Sequence, residues 1–143
     1  MIELKDVDKA YPNGVHALNH VNLQVDDGEF VYVIGATGSG KSTLIKILNG
    51  EEVPDSGTVF VNGTNVGKLR HGKVPKYRRD IGCVFQDYRL LPRYTVYENI
   101  AFALEVVGTP RKTIRKRVKE VLDLVDLTDK ARSYPDELSG GQR

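Results

Sequence analysis

The chain has 143 residues, of which 40% are hydrophobic and 28% charged, and a net charge of +2. That balance suits a globular domain, or a domain with a small satellite, and the basic excess is too small to argue for nucleic acid by itself. No run approaches the roughly 18 apolar residues of a membrane span, Met1-Ile-Glu-Leu-Lys-Asp does not read as a signal peptide, and a lone cysteine, Cys83, excludes an internal disulfide or a cysteine-built metal site and suits a reducing cytoplasm.

Ile2, Leu4 and Val7 mark a first strand, and Tyr11-Pro-Asn-Gly14 a turn. Leu18, Val21, Leu23 and Val25 mark a second strand, and Asp26-Asp-Gly28 turns the chain into Phe-Val-Tyr-Val-Ile at 30–34. Five apolar or aromatic residues in a row predict a buried strand there. The early strands with tight turns predict an antiparallel layer leading into the core. Leu44, Ile45 and Ile47 open a helix that Gly50 stops, Pro54–Gly57 is a turn, and Thr58–Val61 is a strand ended by Asn62-Gly63.

Between the third predicted strand and that helix lies Gly35-Ala36-Thr37-Gly38-Ser39-Gly40-Lys41-Ser42-Thr43, which matches G-x-x-x-x-G-K-[ST]. The chemistry needs this spacing. Gly35, Gly38 and Gly40 lack β-carbons, so the loop can wrap closely and point backbone N–H groups at an anion. The helix that follows adds the positive end of its dipole. Lys41 is expected to reach the β- and γ-phosphates of a nucleotide, and the Ser42 hydroxyl to ligate Mg²⁺. A glycine-rich turn matching by chance is the competing reading; strand before and helix after favour phosphate binding.

Residues 68–80 are basic (Lys68, Arg70, Lys73, Lys76, Arg78, Arg79, with His71). A solvated loop with a short helix entered at Pro75 explains them better than a nucleic-acid patch, because only Tyr77 supplies an aromatic. Ile81–Phe85 reads as a second short core strand carrying a buried, inert Cys83. Beyond Gln86 the pattern turns helical. Ile100, Phe102, Ala103, Leu104 and Val107 share one helix; Ile114, Val118, Val121, Leu122 and Val125 share a second, whose other faces carry Arg111, Lys112, Arg115, Lys116, Arg117 and Lys119. That charge run reads as the wet face of an amphipathic helix. Asp136 or Ser139 is positioned to cap a third helix. The expected organisation is an α/β nucleotide-binding core over 1–86 and a helical unit over 87–143.

Leu138-Ser-Gly-Gly-Gln142, together with Gly35–Ser42 and a glutamine at 86, resembles the motif set of ABC-type ATPases over the whole chain. Val84-Phe-Gln-Asp-Tyr-Arg-Leu-Leu-Pro92 and Thr95-Val-Tyr-Glu-Asn-Ile100 look like the FtsE branch, cell-division ATPases that work with an FtsX-type membrane protein; lipoprotein-release and macrolide-export ATPases are similar here.

The resemblance implies ATP and Mg²⁺ as cofactors and water attack on the γ-phosphate. Lys41 and Gln86 take catalytic roles, with Gln86 beside Ser42 at the metal. Tyr11 stacks on the adenine, and Asp87–Leu91 faces the membrane partner. Ser139, Gly140, Gly141 and Gln142 bind the γ-phosphate held by the opposite subunit of a head-to-tail homodimer. No nucleic acid is implied. The implied location is cytoplasmic, on the inner face of the plasma membrane through that partner. The resemblance also implies an acidic strand and a switch histidine after the signature motif. His16, His20 and His71 precede it, so the chain is expected to be a fragment with weak turnover, exposing residues such as Val31, Val33 and Val84.

Overall fold

The computed structural model describes residues 1–143. Alternating apolar residues draw β1 (Ile2–Ala10) and β2 (His16–Val25) into an antiparallel pair with Ile2 opposite Val25 and Leu4 opposite Leu23. β3 (Ser56–Val61) adds antiparallel to the other edge of β1, and Asn62-Gly63, both at positive φ, fold back a short β4 (Thr64–Asn65). The sheet order is β2-β1-β3-β4. Leu4, Val7, Leu18, Val59 and Val61 face inward to meet Leu44 and Ile47 of helix α1 (Lys41–Leu48), and Val66 and Tyr77 complete this core. Tyr77, on the one-turn helix α2 (Val74–Tyr77) entered through Pro75, donates its hydroxyl to the Leu48 carbonyl; burial pushes its pKa up to about 12.

The β1–β2–β3 ladder is broken by a bulge. Pairing skips between Leu4 and Val7, and Asp6 and His20 both take positive φ. The three-residue step from Leu18 to Val21, which strict alternation does not allow, is the sequence trace of that bulge. His20 donates its amide to the Asp8 carboxylate at 2.9 Å and its Nδ1 to Asp6 at 2.6 Å, and the Ser56 hydroxyl donates to Asp8 at 2.7 Å. The Asp6 hydrogen bond, then the charges of Asp8 and Asp6, raise the His20 pKa above its ordinary 6.5. A raised folded-state pKa stabilises while the imidazole is protonated. The contribution is complete below pH 6.5 and is lost as pH rises through the folded value. Thermal melts from pH 5.5 to 8.5 are therefore expected to show a small pH-linked loss in the native chain that is absent from His20→Gln; parallel curves would refute the pairing.

Two expectations fail. The segments 30–34 and 81–85 carry no strand pairing. Phe30, Tyr32 and Ile34 are exposed, Ile34 to 88%; Val31 and Val33 are each 46% exposed, and Val84 is 99% exposed. The reason is lateral. A strand buried on both faces needs ladder neighbours for its N–H and C=O groups, and β1–β4 supply none to either segment. The exposure of Val31, Val33 and Val84 is as expected. Cys83 is half-buried and accepts a hydrogen bond from the Asn49 side chain at 3.3 Å.

The chain divides into two compact units after Cys83, where the sequence reading divides after Gln86. In the second unit, α3 (Val96–Val106) begins at a capping box: Thr95 Oγ1 accepts from the Glu98 amide, and the Glu98 carboxylate accepts from the Thr95 amide at 2.7 Å. Gly108 at φ 80 and Pro110 separate it from α4 (Arg111–Leu124). Val96 and Ala101 pack with Ile114, Val118, Leu122 and Leu138. Amides of Val96 and Tyr97 bond the Ser133 and Ala131 carbonyls, tying the C-terminal stretch to α3. The expected third helix is a single 3₁₀ turn at Pro135–Glu137, followed by one helical turn in which Ser139 O accepts from the Gln142 and Arg143 amides.

Candidate nucleotide-phosphate site

The loop Gly35–Thr43 curls around the Lys41 side chain. The Nζ donates to the Gly35 and Ala36 carbonyls, both at 2.8 Å, and to Ser39 Oγ at 3.3 Å. The ammonium thus bridges the start of the loop to its end, holding the glycine arc around one positive charge. Gly40 sits at φ 89, and a β-carbon there would lie 2.1 Å from the Ala17 carbonyl oxygen; one at Gly35 would lie 2.5 Å from Ser39 Oγ. The backbone arc is therefore drawn tight both against β2 and on itself. No side chain caps α1, and no acidic residue lies in its first turn. The start of α1 therefore leaves its first amides without a side-chain cap and brings the positive end of the dipole to the end of the loop, which suits an anion.

Ser42 and Thr43 diverge. Ser42 is exposed and its hydroxyl has no protein partner, which fits a hard cation that wants oxygen ligands. Thr43 is buried, and its Oγ1 lies 3.3 Å from the Tyr11 hydroxyl. Tyr11 is therefore anchored beside the loop by its tip, its amide bonded to the Val15 carbonyl and the Lys9 ammonium 5.8 Å from the ring centroid. Tyr11 and Gly35–Thr43 are together in the first unit.

Gln86, Leu90, Leu91 and Ser139–Gln142 belong to the second. Gln86 is exposed at a turn where Tyr88 and Arg89 take positive φ and the Arg89 guanidinium stacks 3.7 Å from the Phe85 ring centroid. Leu90 and Leu91 are half-buried rather than fully exposed. Leu90 lines a cavity of about 350 Å³ with Val96, Ile100, Leu127, Leu138 and Gln142. Gln142 Oε1 accepts from the Ser139 amide at 3.0 Å, while Gly140 and Gly141 are exposed. Sequence reasoning missed Asn99. Its side chain accepts from the Leu91 amide at 2.8 Å and donates to the carbonyls of Leu91, Tyr94 and Thr95, so it fixes the 91–95 loop on α3. The available signal was an amide side chain between Glu98 and Ile100, at the start of the helical stretch.

The family model described as ABC transporter matches residues 18–143. The chain belongs to the ABC transporter family. Among curated members, it is 54% identical to the cell division ATP-binding protein FtsE of Bacillus subtilis over 143 residues, all of this chain and 63% of that protein. It is 51% identical to FtsE of Mycobacterium tuberculosis, again over all of this chain and 63% of the relative. It is 48% identical to the methionine import ATP-binding protein MetN of Helicobacter pylori, over 44% of that protein. The ATP-binding cassette MJ0796, solved as a dimer in a post-hydrolysis state with ADP and Pi, superposes with a TM-score of 0.89 at 37% identity, covering 99% of this chain and 65% of that one. The chain thus spans less than two thirds of the length of these ABC relatives. No helix is long and apolar enough to cross a membrane.

Proposed function

We propose that the chain is the ATP-binding part of an FtsE-like ABC ATPase, and that it is this parent ATPase that couples ATP binding and hydrolysis to an FtsX-like membrane partner in cell division. The observation that carries the nucleotide reading is the Lys41 ammonium held inside the Gly35–Thr43 arc at the uncapped start of α1. Lys41 and the loop amides would hold the phosphates and Ser42 would ligate Mg²⁺; the roles of Gln86 toward the metal and the attacking water rest on its match to the family motif. Ser139–Gln142 meets the nucleotide of a second subunit in a head-to-tail dimer, a reading supported by the dimeric state of the similar cassette. The subunit sits on the cytoplasmic face of the membrane through its partner. FtsE relatives at 51–54% identity against 48% for MetN favour the cell-division branch over another transporter's ATPase. Titration of the chain with Mg-ATP is the primary test: saturable binding is expected, and its absence overturns the reading.

A second reading has an observation of its own. Because the segment leading into the loop has no ladder support, residues 1–143 act as a nucleotide-binding scaffold with little turnover. Phosphate release at saturating Mg-ATP separates the two. A rate barely above background is expected from this chain, and a substantial rate abolished by Lys41→Ala would refute the scaffold.

Tyr11→Ala is expected to weaken ATP and GTP binding by similar factors, since a ring face stacks on any purine. Loss confined to ATP in paired titrations would show that Tyr11 reads the adenine edge instead. Replacing Leu90 and Leu91 together with Asp is expected to leave Mg-ATP binding intact while breaking association with the membrane partner. A double variant that fails to fold on circular dichroism would make them core.

A further inference from the structure

Helix α4 is built against two rules of helix stability. Its N-terminus, the positive end of the dipole, has no side-chain cap and no acidic residue in the first turn, and carries Arg111 and Lys112 instead. Lys112, Arg115, Lys116 and Lys119 then follow at the i, i+3, i+4, i+7 spacing that puts them in one stripe, about 10 Å long, so that like charges face each other along it. The stripe flanks the buried face of Ile114, Val118 and Leu122 and is exposed throughout. Its counter-charge is sparse. Glu120 pairs with Lys116 at 3.8 Å and Arg117 at 2.7 Å, and Asp123 is turned to the Thr128 hydroxyl at 2.7 Å. Lys112, Arg115 and Lys119 have no carboxylate partner. A solvated helix face needs none of this; mixed charges would keep it wet at no cost to the helix. Local rules broken without local compensation mark positions held for function.

We infer that the Lys112-Arg115-Lys116-Lys119 stripe of α4 is a docking surface for an anionic phospholipid membrane. Shape and composition favour that occupant. The stripe is convex helix surface, and the cavity of this unit is lined by other residues, so no groove is offered to an acidic peptide. No aromatic interleaves with the cations for base stacking. Three of the four cations are lysines, compact point charges suited to a diffuse field of headgroups rather than to forked recognition of one phosphate. A basic helix face is attracted to an anionic leaflet within a Debye length, and each cation adds to the binding. The stripe is independent of Gly35–Thr43, so membrane attraction is expected without nucleotide.

The test is flotation of the chain with vesicles of phosphatidylcholine alone or with 30% phosphatidylglycerol, without nucleotide, at 50 and 300 mM salt. Binding to the anionic vesicles only, lost at high salt, is expected. A variant with Lys112, Arg115, Lys116 and Lys119 all changed to Gln is expected to bind at least about a hundredfold more weakly. Changing Lys68, Lys73 and Lys76 to Gln is expected to leave binding within a few-fold. Equal flotation with both vesicle types would assign binding to exposed apolar residues and overturn the proposal, as would no flotation or an unchanged quadruple variant. Tighter binding to a single-stranded oligonucleotide or to polyglutamate than to the vesicles would reassign the stripe. If the quadruple variant loses helicity, Lys112→Gln with Lys116→Gln and the native salt dependence decide the question.

Discussion

Lys41→Ala is expected to weaken Mg-ATP binding by roughly 10- to 150-fold, the equivalent of about 1.5–3 kcal/mol for a lost hydrogen bond to a charged group. The ammonium has two tasks. It carries the positive side-chain charge inside the loop, and it ties the Gly35 and Ala36 carbonyls to the helix start. Alanine removes both, leaving the loop amides and the helix dipole to hold the phosphates. No other lysine or arginine side chain bonds to this arc, so no neighbour compensates. Titration calorimetry of native chain, Lys41→Ala and the remote control Lys73→Ala checks it. Native affinity in Lys41→Ala would remove the loop from the binding site.

Gly57→Ala is expected to destabilise the first unit strongly although it adds only one methyl group. Gly57 lies at φ 79 inside β3, opposite the bulge, where a β-carbon would stand 2.2 Å from the Asp6 carbonyl oxygen and 2.5 Å from that of Lys5. The left-handed backbone alone costs an alanine about 1–2 kcal/mol. The clash is with backbone on both counts, so relief requires β1 and β3 to separate where Leu4, Val7 and Val59 meet. A total of about 3 kcal/mol or more, and a fall in melting temperature of roughly 10 °C, is expected. Gly63→Ala isolates the clash: it has φ 75 and nothing within 4 Å of the added carbon. Similar melting shifts in the two variants would show that backbone strain alone decides.

The phosphate loop was legible because its chemistry is local. Spacing, glycines and the following helix all lie within a dozen residues, and the structure places Lys41 inside the arc they define. The capped α3 and the amphipathic α4 were legible for the same reason, from Thr95 and Glu98 and from Ile114, Val118 and Leu122. What failed depends on distant partners. Phe30–Ile34 has the composition of a central strand, but pairing is a property of neighbours, and without them the segment stays exposed. Gly57 looked like the end of a turn because nothing near it in sequence announces the Asp6 carbonyl. Asn99 was invisible as a clamp until the loop it holds had folded back onto α3.

The central claim is that Gly35–Thr43 holds the phosphates of a nucleotide. Amide NMR of the ¹⁵N-labelled chain during addition of Mg-ATP tests it residue by residue. Amides from Gly35 to Thr43 are expected to move in a saturable way, with Ser42 moving further when Mg²⁺ is present than with ATP and a chelator, while the amides of Asp6 and His20 at the bulge and those of α4 stay in place. Saturable shifts confined to α4 or to residues 68–80, with the loop unmoved, would contradict it.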